Sequence, residues 1–336
     1  MQKRFKNVKQ PLSFGATMVS SNYLIVDNGI ITYFGKKPNE DCSVAEDFCG
    51  KIIIPTFKNN HCHLMGLSSS EMEKVILSNI KAGVGEIIVV TDNYLYAKLL
   101  LEKYGLDYKI ALKVDDAEEV EEIDKEKLLI YVDPCVDEES ELDKASDFAG
   151  KNNLKVFINL FDNLQKTGEL NSSTGKLPIR YVEEFGLLDR GGYISGAICC
   201  DKEDYRLISE YDFEIVIRPI RDLNKGNGLA NIIQIQNAGL TCSLGSMDMR
   251  EVDFFQNVRA LTYGTKGLLC DEEATSLEEV FALATSGKVE EGQKANFLVL
   301  KEDLCEENLE KIISLASARD IEMTIINGKN TKSEEI

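Results

Sequence analysis

Both histidines of this chain lie in one tripeptide, His61-Cys62-His63, and they are its residues best suited to chemistry. In a β-strand alternate side chains share a face, so His61 and His63 point the same way. Two imidazoles on one face can hold one side of a divalent ion such as zinc or iron. The pair reads equally well as two buried core histidines satisfied by hydrogen bonds, because His-x-His is a short pattern. With only two histidines in the chain, no three-histidine metal site can be built.

The elements that must position this pair are legible around it. The tripeptide follows the apolar run Ile52-Ile53-Ile54-Pro55, which places it at the end of a strand. Further apolar, strand-sized runs cover residues 85–90, 108–112, 128–132, 155–160, 193–198, 214–217 and 241–244. Amphipathic, helix-like stretches sit between most of them, at 70–81, 94–103, 178–185 and 229–237. With the run over 55–63 that gives eight strand candidates alternating with helices, which predicts an α/β fold, a (β/α)8 TIM-type barrel. At the C-terminal end of a barrel strand His61 and His63 face the mouth, where active sites of such barrels sit.

The ends of the chain read differently. Tyr23-Leu24-Ile25-Val26 and Ile30-Ile31-Thr32-Tyr33-Phe34 flank Asp27-Asn28-Gly29, a hairpin signal. Strand-like runs recur at 296–300 and 323–326, the second closed by Asn327-Gly328. These predict a small β-rich domain built from residues 1–54 plus 285–336, beside a barrel of residues 55–284. The acidic stretch 115–127 reads as a helix with a solvated face, and 137–147 and 165–176 as loop and helix surface. Gly226-Asn227-Gly228 is turn chemistry, since no strand–G-x-G-x-x-G–helix surrounds it.

Charge narrows the partners. The chain has 38 Lys+Arg against 57 Asp+Glu, a net charge of −19. A surface this negative repels phosphate backbones and anionic membranes, which argues against both as partners. The longest apolar runs fall far short of the ~20 residues a membrane helix needs. The start Met1-Gln2-Lys3-Arg4-Phe5-Lys6 is basic but leads into no apolar run, so no signal peptide is expected. Nine cysteines, with no C-x-x-C pair and an adjacent Cys199-Cys200, read as reduced thiols of a cytoplasmic protein.

The segment from Gly50-Lys51-Ile52-Ile53-Ile54-Pro55 to Asn60-His61-Cys62-His63-Leu64 resembles the first barrel strand of the amidohydrolase superfamily, in its deaminase/chlorohydrolase branch. The resemblance continues in order through Val156-Phe157-Ile158-Asn159-Leu160-Phe161-Asp162, the stretch 176–188, the stretch 193–200 and Arg218-Pro219 to Gly226-Asn227-Gly228. It ends with Ala238-Gly239-Leu240 to Ser243-Leu244-Gly245-Ser246 and Gly287-Lys288-Val289 to Lys294-Ala295-Asn296. It implies a metal-dependent hydrolase of non-peptide C–N bonds, of the aminohydrolase type. It further implies a zinc held by the His-x-His pair, a strand-five histidine and a strand-eight aspartate. Here those last two positions are Asn159 and Met247, the strand-six histidine is Gly196, the second histidine of that motif is Cys199, and the proton-shuttling glutamate is Asp162.

The candidate metal set is therefore His61, His63 and Asp248, the last a replacement carboxylate beside Met247 that a bulge or turn at the strand end would have to swing inward. Asp162 and Asp248 are the candidate acid/base residues, and Asn159, Cys199, Arg218 and Met247 the candidate substrate-binding ones. Each has a plainer reading. Asp248 could cap the helix that follows, Asp162 could be a solvated loop residue, and Cys199 an ordinary buried thiol. Arg218 and Arg221 could bind an anionic group or form a surface ion pair. Two functions follow: deamination of a nucleobase-like amine by a divalent metal, or binding of a small-molecule ligand at the barrel mouth by a non-catalytic paralogue with weakly bound metal or none. A homo-oligomer is compatible with either.

Overall fold

The computed structural model describes residues 2–10, 19–36, 45–160, 164–301 and 308–331. The N-terminal segment forms β1 (Lys3–Gln10), β2 (Val19–Asp27), β3 (Ile30–Gly35), β4 (Glu46–Asp47) and β5 (Ile53–Pro55). The central strands are β6 (Phe57–His63), β7 (Val84–Val90), β8 (Asp107–Leu112), β9 (Leu128–Val132), β10 (Lys155–Asn159), β11 (Gly192–Ser195), β12 (Phe213–Ile217) and β13 (Thr241–Leu244). Near the C-terminus lie β14 (Phe297–Leu300), β15 (Ile321–Ile326) and β16 (Lys329–Asn330).

Strands β6 to β13 pair in sequence order in one eight-stranded parallel sheet. The ring closes through a bridge between Cys62 and Met247, where the His63 amide donates to the Met247 carbonyl at 2.9 Å. Helices α1 (Ser69–Lys81), α2 (Tyr94–Lys103), α3 (Val114–Glu118), α4 (Glu139–Asn152), α5 (Leu164–Thr174) and α6 (Pro178–Glu184) follow the first five strands of the ring. Helices α7 (Lys202–Ile208), α8 (Pro219–Asn224), α9 (Ile232–Asn237), α10 (Phe254–Leu269), α11 (Leu277–Ala284) and α12 (Leu309–Leu315) follow. The expected TIM-type barrel is therefore present. Local chemistry sets the helix starts: Ser68 with Glu71 and Ser276 with Glu279 form capping boxes, and Pro178 and Pro219 open α6 and α8.

Two expectations need correction. The strand expected over 193–198 stops at Ser195, because Gly196 adopts φ 78° and turns the chain into a one-turn 3-10 segment, Ala197–Cys199. The helix expected over 115–127 ends at Glu118. Glu118, Glu119, Glu121 and Glu122 would line neighbouring helical positions with like charges, which opposes its extension.

The chain termini meet in a shared sheet. β14 pairs antiparallel with β5, setting Ile53 opposite Val299 and Ile54 opposite Leu298, and with β15 on its other side. A second four-stranded sheet has the order β3-β2-β1-β4. The two are stitched by the Ile31 amide on the Gln293 carbonyl at 2.9 Å and share a core in which the Phe5 ring lies 4.8 Å from Phe48 and 6.1 Å from Phe297. The hairpin expected at Asn28-Gly29 forms, and Asn327-Gly328, which closes the last long strand, also turns a hairpin, Asn28 and Asn327 each lying at φ 49°. Among the described residues, no helix is long and apolar enough to cross a membrane.

The barrel interior is a small apolar plug of Ile88, Val90, Ala111, Leu129, Tyr131 and Phe157. The larger core lies between the strands and the helices. There Phe57, which opens β6, stacks on Phe254 at 5.4 Å and meets Phe255 and Phe281 edge-on at 5.0 and 5.8 Å. This aromatic group fixes the strand that carries the histidines. Phe57→Ala is expected to cost about 3–5 kcal/mol, measured by denaturant unfolding; a loss below about 1 kcal/mol would mean that Phe57 does not anchor β6.

Candidate functional site

β6 carries a bulge where it approaches the mouth: Asn59 pairs with Ile87 but Cys62 with Val89, three residues against two. Asn59 and Cys62 turn outward to Asn79 of α1, at 2.7 and 3.8 Å. Asn60 turns inward, its Nδ2 donating to Ser243 Oγ at 2.8 Å and Glu214 Oε1 at 2.9 Å. His61 and His63 both face the interior, their rings 6.1 Å apart. The His61 ring meets Phe157 edge-on at 4.9 Å, and the His63 ring lies 6.1 Å from Tyr131. Room for His61 depends on Gly245, where a Cβ would fall 2.8 Å from the His61 Cβ.

His61 is fully buried, and its Nδ1 lies 2.7 Å from Ser195 Oγ at the end of β11. Its Nε2 is buried and has no hydrogen-bond partner among the described residues. Burial, then the nearby charges of Arg218, His63 and Arg221, hold the His61 imidazole well below its ordinary value. The neutral ring is therefore favoured, and the contact with Ser195 fixes its orientation.

The centre of the mouth is taken by a guanidinium. Arg218, at the end of β12, is fully buried. Its Nη1 donates to Asn159 Oδ1 at 2.9 Å and to Met247 Sδ at 3.1 Å. Its Nε and Nη2 donate to the two carboxylate oxygens of Asp222 at 3.1 and 3.2 Å, one turn along α8. Asp222 also accepts from Arg221 Nη1 at 3.1 Å and Asn227 Nδ2 at 3.2 Å. Asn159 is held from behind, its Nδ2 donating to Asp133 Oδ2 at 2.9 Å. Asp133 in turn sits in a turn in which its amide donates to Asp137 Oδ2 at 2.8 Å, and Asp137 pairs with Lys113.

Met247 reaches this centre through an unusual backbone. Its φ of 51° is left-handed, a region that costs a residue with a Cβ of order 1 kcal/mol or more. β6 holds it there: the Met247 amide donates to the His61 carbonyl at 2.6 Å, and its own carbonyl accepts from His63.

The sequence-predicted residues thus divide. His61, His63, Asn159, Arg218 and Met247 come together at the barrel mouth. Arg218 is not the surface ion pair that composition made equally plausible, but a buried one. Asp248 does not cap the helix that follows, and among the described residues it belongs to no group of three possible metal donors. Its half-exposed carboxylate accepts from Arg221 Nε at 3.2 Å, while the cap of α10 is Asp253, accepting from the Phe255 amide at 3.0 Å. Cys199 lies in the 3-10 turn and lines a narrow cleft with Leu160, Leu177 and Cys200; burial pushes its thiol up, as for an ordinary buried thiol. Asp162 lies outside the described residues. Ser195, Asp222 and Asp133 were not anticipated. Asp222 had a signal, four residues after Arg218 and three after the helix-opening Pro219, whereas nothing local marked Ser195 or Asp133.

The donors do not fit a firmly held divalent ion. His61 Nε2 is buried and unpartnered among the described residues, but among them no three His, Cys, Asp or Glu side chains converge to hold a metal. A catalytic zinc ordinarily takes three protein ligands. Asn159 Oδ1 is already engaged by a cation, and that cation opposes a second one nearby.

No family model matches the chain. It is 26% identical over 208 residues to a 5-methylthioadenosine/S-adenosylhomocysteine deaminase of Bacillus cytotoxicus, covering 56% of this chain and 48% of that relative. The Bacillus cereus enzyme of the same name gives 26% over 209 residues. The chain thus spans about half the length of these relatives. Across nearly the whole chain the fold is shared with a guanine deaminase from C. acetobutylicum with bound guanine, at TM-score 0.79, 19% identity and coverage of 98% and 100%. An adenosine deaminase from Xanthomonas campestris with bound zinc gives TM-score 0.78, 14% identity and coverage of 96% and 92%. These relatives and structural neighbours are amidohydrolase-superfamily proteins, the superfamily the motifs resemble.

The two acidic partners at the mouth should separate cleanly by mutation. Asp222→Ala leaves two buried guanidinium groups short of their shared carboxylate and is expected to cost about 3–5 kcal/mol. Asp248→Ala removes a half-exposed partner and should cost about 1 kcal/mol or less. Urea unfolding of both variants checks this, and equal losses would refute the buried network.

Proposed function

We propose that this amidohydrolase-superfamily chain is an aminohydrolase-type barrel in which metal-dependent hydrolysis of non-peptide C–N bonds has been lost, and whose mouth binds a small molecule without turnover. The observation that carries this reading is the placement of Asp248. Its half-exposed carboxylate pairs with Arg221 Nε, and among the described residues no three His, Cys, Asp or Glu side chains converge as a catalytic metal set requires. The ligand class suggested by the relatives' names is a purine or a nucleoside-like amine. The −19 charge argues against nucleic acid as a partner. A reducing, cytoplasmic setting fits the free cysteines among the described residues.

A second reading, retained C–N hydrolysis, has one specific observation in its favour besides the names of the relatives. The neutral His61 ring has Nε2 buried and unpartnered among the described residues, with Nδ1 against Ser195, as an imidazole offered to a ligand would be. In that reading His61 and His63 would hold a divalent metal, which supplies Lewis-acid activation of water when bound.

Zinc calorimetry, together with ammonia release from adenine- and guanine-type amines in added zinc, tests the choice. With two imidazoles only, zinc is expected to bind more weakly than about 10 µM, to be lost in His61→Ala and to be unchanged in Asp248→Ala. No ammonia release is expected. Submicromolar zinc with zinc-dependent ammonia release would establish the second reading instead.

A further inference from the structure

We infer that the barrel mouth is a cation-binding site whose occupant is the chain's own Arg218 guanidinium, and that this side chain acts as a positioning residue for the ends of β10, β12 and β13. The inference rests on the proposed reading of the mouth as lacking a catalytic metal, and adds what holds the mouth in its place.

Four acceptor atoms converge on one planar cation: both carboxylate oxygens of Asp222, Asn159 Oδ1 and Met247 Sδ. They come from three separate stretches of chain, each at the C-terminal end of the barrel. Two of the acceptors are themselves braced. Asn159 is fixed by Asp133, and Asp222 is shared with Arg221 and Asn227. The third is held at a backbone angle that a residue with a Cβ seldom adopts, Met247 at φ 51°. A strained backbone and a buried carboxylate aimed at one guanidinium describe a built site, with donors and acceptors matched in a planar fork. The positive charge so fixed also acts on His61, which it helps to keep neutral. A dication beside it would be repelled.

If the site is a receptor for a cation, removing the side chain should leave a cavity that a free guanidinium ion can refill. Arg218→Ala is expected to lower the thermal midpoint by roughly 5–10 °C. Guanidinium chloride at 10–50 mM should then recover at least half of that loss, while sodium chloride, urea or zinc chloride at equal concentration should not. The wild type should gain nothing from guanidinium. Arg218→Lys, which keeps the charge but offers a single ammonium, should fall less and gain little, because its own cation fills the site. This variant also keeps the test open should Arg218→Ala not fold, since guanidinium should then raise the refolding yield of Arg218→Ala alone. Equal guanidinium effects on all three proteins, no recovery in Arg218→Ala, or recovery by zinc in its place would overturn the inference. Failure of the underlying reading would show separately, as tight zinc uptake by the wild type.

Discussion

A cation removed from water must be matched by the groups around it, and that requirement organises the mouth of this barrel. Transferring a guanidinium into a protein interior costs several kcal/mol, and close, well-oriented acceptors are what offset it. Arg218 has these in Asp222, Asn159 and Met247. Each then needs support of its own, from Asp133 behind Asn159, from Arg221 and Asn227 around Asp222, and from β6 under Met247. One buried charge thereby ties together the ends of strands far apart in the sequence.

The same constraint shapes the two histidines. The bulge in β6 turns Asn60 inward beside His61, and the backbone pairing of His61 and His63 with Met247 closes the ring of strands. His61 is then buried next to a fixed positive charge, which favours its neutral form. Ser195 satisfies one of its nitrogens. Chemistry that relies on a dication at this place would have to displace Arg218 or work against its charge.

Much of this architecture was legible in the sequence. Hydrophobic runs alternating with amphipathic stretches foretold the barrel because a parallel strand buried on both faces leaves an unbroken apolar signature. Asp27-Asn28-Gly29 foretold the first hairpin, since Asn28 tolerates positive φ. His61 and His63 were placed correctly by strand period. What escaped was non-local. Whether Arg218 faces water or the interior depends on acceptors 59 residues before and 29 residues after it in the chain. The pairing of Asp248 with Arg221 spans 27 residues, and the partnership of Ser195 with His61 spans 134. Strand 193–198 was overrun because Gly196 reads as apolar spacing until its backbone angle is known.

The central claim is that a guanidinium, not a metal ion, occupies the heart of the mouth. A crystal structure of the full chain grown with millimolar zinc, with anomalous data collected at the zinc edge, measures this directly. The expected map shows the Arg218 guanidinium between Asn159, Met247 and Asp222 and no anomalous peak within bonding distance of His61 Nε2. A strong peak bonded to His61 and His63, with Arg218 displaced from Asn159, would contradict it.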